Sequence, residues 1–569
     1  MATSTPVGYN TGSTISGTQQ IGSLAIGTGT TVAYDSSPNN VKFWMGPNQD
    51  SGYVIAHTTV AGNQPNPVSI PAYVGFFRST GLTDSSFISL SQYVSNFSQT
   101  FTTGTEAKTW LNNNGYWTSW TATTSPTSQV FTSVWQTTTT NEVITLPYRT
   151  AGTYSGTIDW GDGSVSANSL SNISHTYATA GVKTIAISGV TKGFSFDNVR
   201  GSLTKIKDVT NWGNVRLSRV ELNTDSGFFY GCTGLSAITA TDVLSTSGIT
   251  SFLDMFRNCS SLTTVNRINE WNTSNVTTMA TMFSTASLFN SNIGSWDTKK
   301  VTSISFMFSD AVAFNQNLNS WNTSAFTNTY AAFNNASIYN SPLSGWNVSN
   351  VVDAGEMFIG SAFNQNINNW NVSSMTSLFR FFRDTPFNQP LSGWNVSNVT
   401  DFSEAFYGNS VFNQNINNWV TSAATDMSGM FGNGSNFNQP LSGWNTSNVL
   451  TMSYMFGNSN QFNQSIGNWD VSKVTDMSNM FSSAVAFNQN IGSWNISGVT
   501  NFTSFMSSKT AANYSATNLD AIYNGWSTKT PKPSIVITFN TIKYTAAGSS
   551  GRSVLTSAPY SWSITDGGI

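Results

Sequence analysis

From residue 271 to 494 the chain repeats one arrangement of apolar and polar positions every 24 or 25 residues. Tryptophans mark the period, at 271, 296, 321, 346, 370, 394, 419, 444, 469 and 494. The consensus reads F-N-Q-x-I/L-x-x-W-N/D-x-S-x-V-x-x-M-x-x-M-F, with Tyr339 replacing the leading Phe once. In I-N-N-W-N-V the apolar residues stand at i, i+3 and i+5, the L-x-x-L-x-L spacing of a short strand. In V-T-D-M-S-x-M-F they stand at i, i+3, i+6 and i+7, the spacing of a short helix or 3-10 turn. The Ser three positions after each Trp (Ser349, Ser373, Ser397, Ser447, Ser472, Ser497) sits where that helix wants an N-cap. The pattern therefore predicts rungs of strand, helical turn and return loop. One rung buries too few side chains to offset the entropy of ordering its residues, so the rungs must stack.

The stretches FNQPLSGWNVSNVTDFSEAF and FNQSIGNWDVSKVTDMSNMF resemble the BspA-like type of leucine-rich repeat. FFYGCTGLSAIT and MFRNCSSLTTV, ahead of them, resemble that family's second repeat form and place Cys232 and Cys259 on adjacent rungs. The resemblance covers about residues 200–525. It implies a solenoid and links the chain to adhesion and binding.

Two other segments carry resemblances. GTIDWGDGSVS followed by SHTYATAGVKTIAISG is similar to the PKD type of immunoglobulin-like sandwich, on Trp160, Gly161, Asp162, Gly163, Ser164, His175 and Tyr177. Asp159 and Asp162 suggest a calcium loop or an acid pair, against the simpler reading that Asp162-Gly163 makes a tight hairpin turn. FWMGPNQDSGYVIA and AKTWLNNNGYWTSW resemble modules of tailed-phage virion proteins, often marine. TATTSPTS (121–128) reads as a linker.

The expected architecture is mainly β, in four parts. These are an N-terminal virion-anchoring module (1–124), a PKD-like sandwich (125–192), a repeat solenoid (193–525) and a C-terminal cap (526–569). The cap keeps strand patterns in SIVITFNTIKYT and YSWSITDGG and shields an open stack end.

Composition narrows the function. Only 9% of the 569 residues are charged and the net charge is −3, so nothing attracts nucleic acid or an anionic membrane. Aromatics reach 13%, which argues for packed structure over disorder. No run approaches the ~18 apolar residues of a membrane span. The N-terminus lacks the basic and apolar regions of a leader, so none is expected. Two Cys make no disulfide scaffold, and Cys232 and Cys259 are either bonded across rungs or paired as thiols. Two distant His make no metal or catalytic cluster. No G-x-S-x-G, HExxH, P-loop or CxxC motif occurs.

Glycan cleavage needs two apposed carboxylates. Asp353, Asp401, Asp426 and Asp476 share one column, seven residues after their Trp, where each is expected to complement the dipole of a helical first turn. We therefore expect no enzyme, no cofactor and no metal.

With Trp inward, the residues flanking it should face outward as an amide-rich wall. The candidate ligand column is Asn322, Asn347, Asn371, Asn395, Asn445, Asp470 and Asn495, continued by Asn272, Asp297 and Val420. The Asn of F-N-Q (Asn315, Asn364, Asn388, Asn413, Asn438, Asn463, Asn488) is invariant, which suits a structural ladder better than a pocket. F-N-Q-N and F-N-Q-P alternate over about 49 residues, suggesting growth by pairs of rungs.

The expected function is a phage virion protein, a tail fibre or decoration protein on the particle surface. Its partners would be other virion proteins, through the N-terminal module, and a host glycan or protein, through the repeats. The alternative is a bacterial surface adhesin; a depolymerase is a distant third. A homo-oligomer is left open, since no heptad pattern argues for one.

Overall fold

The computed structural model describes residues 130–569, except 214, 218–226, 247 and 435, together with the backbone of five N-terminal strands. The chain forms two compact units, 1–127 and 128–569. In the first, β1 (Val32–Ser36), β2 (Asn39–Met45), β3 (Gly52–Ala56), β4 (Ala72–Phe77) and β5 (Ser86–Leu90) make one antiparallel meander in chain order. The rest of the expected 1–124 module, and the 121–128 linker, lie outside the described residues.

The second unit begins with β6 (Phe131–Thr137), whose alternate residues Phe131, Ser133, Trp135 and Thr137 are buried. It is flanked by β12 (Gly181–Ile187), antiparallel from Gly181↔Thr137 to Ile187↔Phe131, and by β14 (Ile206–Asn211). With β9 (Thr157–Asp159) and β10 (Val165–Ala167) these form a sheet of order β10-β9-β12-β6-β14. A three-stranded sheet joins β8 (Tyr148–Ser155), β13 (Val190–Phe194) and β15 (Val215–Arg216), and β7 (Glu142–Thr145) pairs with β11 (Ser174–Tyr177). Since β14 and β15 lie beyond residue 192, the sheets run past the boundary expected there.

The repeats start inside that region. Immediately after β13, Phe196 and Asn198 donate their N–H groups to the carbonyls of Phe228 and Tyr230. Gly227, Phe229 and Gly231 donate in turn to Leu253, Met255 and Arg257, and the scheme continues to Ser483 and Ser507. Ten single parallel bridges tie the rungs in a column from Ser251↔Thr278 to Asp476↔Asn501.

Two-residue strands, Ala237–Ile238 and Thr264–Val265, pair in parallel in the first rungs. Among the described residues from Trp271 to Trp494 no strand or α-helix forms. The expected alternative, a 3-10 type of turn, is what the chain adopts, and the hydrogen bonds explain why. Phe402, Glu404, Phe406 and Gly408 donate to Asp426, Ser428, Met430 and Gly432 of the next rung. The intervening Ala405, Tyr407 and Asn409 donate back three residues to Phe402, Glu404 and Phe406. Every second N–H thus leaves the rung, which a helix's internal bonding does not allow. Left-handed residues make this possible, at Glu404 (φ 54°) and Gly408 (φ 69°) in this rung and at Tyr454 and Asn458 two rungs on. A non-glycine residue there is strained, and the inter-rung bonds hold it. Likewise Trp394 N–H turns back to Leu391, so the Trp lies in a turn, and the parallel bridge forms seven residues later at Asp401.

Three columns of rings fill the interior. The tryptophans stack, as in Trp419–Trp444 at 6.3 Å and 3°. The Phe of M-F stacks, as in Phe431–Phe456 at 5.7 Å and 10°, and so does the Phe of F-N, as in Phe437–Phe462 at 6.2 Å. Tyr339 keeps the last column in register with Phe314 at 6.0 Å.

Both ends of the column are covered. At the start, Phe229 meets Phe196 at 5.9 Å and Trp212 meets Trp271 at 6.2 Å. At the finish a helix, Ala516–Trp526, lies against the last rung and buries Leu519, Ile522, Tyr523 and Trp526. Its Trp526 Nε1 donates to Ile491 O at 3.1 Å. The cap thus begins ten residues before the expected 526, and with a helix instead of strands. Beyond it, the expected strand patterns survive as a short parallel pair, Val536–Thr538 with Ser563–Thr565, and a second helix spans Ser549–Thr556.

Candidate functional site

The F-N-Q asparagines connect neighbouring rungs. Asn388 N–H donates to Asn364 Oδ1, Asn413 N–H to Asn388 Oδ1, and Asn438 N–H to Asn413 Oδ1. The chain of bonds runs from Asn315, on Asn290, through Asn340, Asn364, Asn463 and Asn488 to Ser515 in the cap, each at 2.9–3.0 Å. The following Gln adds a second donor: Gln414 Nε2 reaches Asn388 Oδ1 at 3.0 Å. These asparagines spend their carbonyl oxygens on backbone.

Asn322, Asn347, Asn371, Asn395, Asn445, Asp470 and Asn495 all lie exposed on the rung surface. Each accepts, at 3.0–3.3 Å, the N–H of the residue two positions on, Ser324, Ser349, Ser373, Ser397, Ser447, Ser472 and Ser497. The column closes side-chain turns, a task that suits Asn and Asp; Val420 in the same column has no side-chain acceptor and is the exception. Ser472 holds the Asp470 carboxyl below its usual range by hydrogen bonding. These serines therefore cap no helix; their N–H groups are received instead.

Asp401, Asp426 and Asp476 likewise accept from the N–H two residues on, at 2.8–2.9 Å, and Asp353 from Gly355 at 3.3 Å. With no helix beneath them, the expected dipole role is replaced by turn closure at the bridge position.

Two open clefts form where rungs of different type meet. The first, about 580 Å³, is lined by Pro342, Ser344, Gln365, Asn366, Asn368 and Asn369. The second, about 470 Å³, is lined by Pro390, Ser392, Gln414, Asn415, Asn417 and Asn418, the same residue types in the same order. Their internal bonds also repeat. Asn369 Nδ2 donates to Ser344 O at 2.7 Å and Asn418 Nδ2 to Ser392 O at 2.8 Å. Asn366 and Asn415 each accept the N–H two residues on at 2.9 Å, and Asn368 and Asn417 accept from Gly393 and Gly443 at 2.8 Å. Sequence reasoning missed this site, although its signal, the 49-residue alternation, was in view.

A second feature was also missed. The exposed side of the turn segment varies from rung to rung, and Glu356, Arg380 and Glu404 occupy one left-handed column on consecutive rungs. Arg380 bonds Glu404 at 2.7 Å and Glu356 at 3.3 Å, and Arg383 bonds Glu404 as well. The two guanidinium groups lie over Phe379 (4.5 Å) and Tyr407 (4.6 Å).

The W-G-D-G-S segment is a hairpin loop between β9 and β10. Trp160 N–H donates to Ser164 O, Asp159 accepts from Gly161 N–H, and Asp162 accepts from Ser164 N–H. The remaining Asp162 oxygen meets His175 Nε2 at 2.8 Å. His175 stacks on Trp160, and Tyr177 OH donates to Trp160 O at 2.8 Å. Among the described residues, no three His, Cys, Asp or Glu side chains converge to hold a metal ion. Cys232 and Cys259 are buried free thiols, and Cys259 Sγ donates to Phe229 O at 3.1 Å. Burial pushes both thiols above their ordinary range. No helix among the described residues is long and apolar enough to cross a membrane.

A family model described as "Mycoplasma protein of unknown function, DUF285" matches residues 226–344, 330–442 and 400–519, a continuous span of just over half the chain. Neither the curated proteins nor the solved structures contain a match.

Proposed function

The chain belongs to the DUF285 family, and from that premise we propose a non-enzymatic attachment protein on the surface of a tailed-phage particle, as a tail fibre or decoration protein. The observation that carries the reading is the division of labour in the rungs. The interior is an unvarying lattice of rings and backbone bonds, and an open amide-lined face is presented outside it. In this reading the rungs are a leucine-rich-repeat solenoid of the BspA-like type. The two facing sheets that precede them, with the Trp160–Ser164 hairpin and the Tyr177 contact, are a PKD-like spacer. The N-terminal unit anchors the assembly to other virion proteins, and the repeats meet a host glycan or protein. Immunogold labelling of particles from the source tests this: label on head or tail is expected, and absence of the protein from purified particles removes the reading.

A second reading, a bacterial cell-surface adhesin, draws on the family description, which names a bacterium. Label on intact cells instead of particles selects it.

A further inference from the structure

The outer positions of the turn segment need no particular side chain to build a rung. Thr281, Arg380 and Asn479 occupy one column, and their N–H groups donate alike to the next rung, at Ser305, Ser403 and Thr503. Small polar residues fill most of this face, as Thr281 and Thr285 do in one rung and Asn479 and Ser483 in another. Yet every Arg and Glu between Trp271 and Trp494 stands on it, in three consecutive rungs: Glu356, Arg380, Arg383 and Glu404. The fold does not explain that concentration. Arg, with the neighbouring Tyr407 and Tyr454, is instead the kind of residue that anchors a protein interface.

The cluster is set in place in advance. Arg380 is tied to Glu356 and Glu404 and lies over Phe379, while Arg383 is tied to Glu404 and Asp384 and lies over Tyr407. Side chains already ordered lose little entropy on docking. These bonds use Nε and one terminal nitrogen of each guanidinium, leaving Nη2 of both without a partner among the described residues. Along the stack the sign runs negative at Glu356, positive at Arg380 and Arg383, then negative at Glu404. A partner of single sign is repelled as well as attracted by such a row. The mate it fits carries the same alternation in reverse order, and the chain itself carries that order.

We propose that this face joins two copies of the chain, turned end for end about a twofold axis lying in the face between the rungs of Arg380 and Glu404. A twofold contact is made twice, so each pairing counts double. Arg380 meets the partner's Glu404, Arg383 meets the ring of the partner's Tyr407, and Asp384 meets the partner's Gly408. One rung out, Glu356 faces the partner's Gly429 and so opposes no like charge. Ile359 faces the partner's Gly432, over which the rings of Tyr407 and Tyr454 close at 6.0 Å from each other. A copy running in the same direction brings the two arginine-bearing rungs together. Shifting the axis one rung toward Glu356 sets Arg383 against the partner's Ile359, which offers a guanidinium nothing. The inference goes beyond the attachment reading and does not depend on it.

Sedimentation velocity of the full-length chain, from about 1 to about 100 µM, tests it. A concentration-dependent dimer is expected. Arg380→Ala removes both symmetry-related ion pairs and should raise the dissociation constant about a hundredfold or more. Its unfolding midpoint should stay close to the parent's, because Ala331 and Gly429 hold the same left-handed position in other rungs. Arg380→Glu combined with Glu404→Arg restores opposite signs between two variant copies but sets like charges against the parent. Differently labelled variant and parent chains should therefore each self-associate without mixing. A parent that is monomeric throughout leaves the face to a different partner and overturns the proposal. Association unchanged in the folded Arg380→Ala chain, or free mixing of the charge-swapped variant with the parent, overturns it too.

Discussion

The carbonyl of Leu391 accepts two hydrogen bonds, from Trp394 N–H in its own rung at 3.1 Å and from Trp419 Nε1 in the next at 3.0 Å. The same double acceptance recurs at Ile416, which receives Trp419 N–H and Trp444 Nε1. Tryptophan is therefore chosen for its donor as much as for its ring, since a buried indole N–H needs a partner. Trp419→Phe retains a ring in the column and loses that donor and part of the packing. We expect a loss of about 2 kcal/mol, read as a lower denaturant midpoint with little change in circular dichroism. An unchanged midpoint would show that the inter-rung bond contributes nothing.

Asn388 separates scaffold from recognition. Its Oδ1 receives Asn413 N–H and Gln414 Nε2, both at 3.0 Å. Asn388→Ala should cost about 1–3 kcal/mol, whereas Asn388→Asp, which keeps an acceptor there, should stay close to the parent. Thermal unfolding of the two variants decides it, and equal losses would contradict an acceptor role.

Lys509 gives the pH prediction. Its ammonium is buried at the end of the stack, bonded to the carbonyls of Ala484 (2.7 Å) and Val485 (2.9 Å), and burial lowers its pKa to about 8. Between pH 8 and its ordinary value near 10.5 the unfolded chain holds a proton that the folded chain has released. Stability from this group therefore rises with pH across that window and is flat below it. The difference in unfolding midpoint between the parent and Lys509→Met, measured at pH 7.5 and pH 10, should shift in favour of the parent at the higher pH. A difference independent of pH would show that Lys509 titrates normally.

What the sequence discloses and what it conceals follow from the same repetition. The period, the inward Trp and the column of F-N asparagines stand out because each rung places the same atoms against the same neighbours. The local backbone does not stand out. Val399, Phe402, Ala405 and Phe406 satisfy a helical spacing, and a chain of tight turns buries them equally well. One left-handed column that separates the two carries Glu356, Arg380, Glu404, Gly429 and Tyr454, so glycine marks it in one of these five rungs and the pattern does not stand out. The terminal helix had a legible pattern in Leu519, Ile522, Tyr523 and Trp526, with Ser515 accepting from Asn518 N–H as its cap. Trp526 comes 32 residues after Trp494, off the 24–25-residue spacing, yet its indole bonds the last rung as the repeat tryptophans bond theirs. The clefts were hidden because each depends on two rungs of different type, and single-rung alignment averages the types together.

The sealed ends have a consequence for how such a chain changes over generations. The strands before the first rung bond to it through Phe196 and Asn198, and the helix after the last bonds to it through Asn518 and Trp526. A duplicated or deleted pair of rungs leaves both junctions intact, lengthens or shortens the stack by two rungs and adds or removes one whole cleft. The length of the stack and the number of clefts then vary together in fixed increments, set by copy number without altering a single contact between rungs.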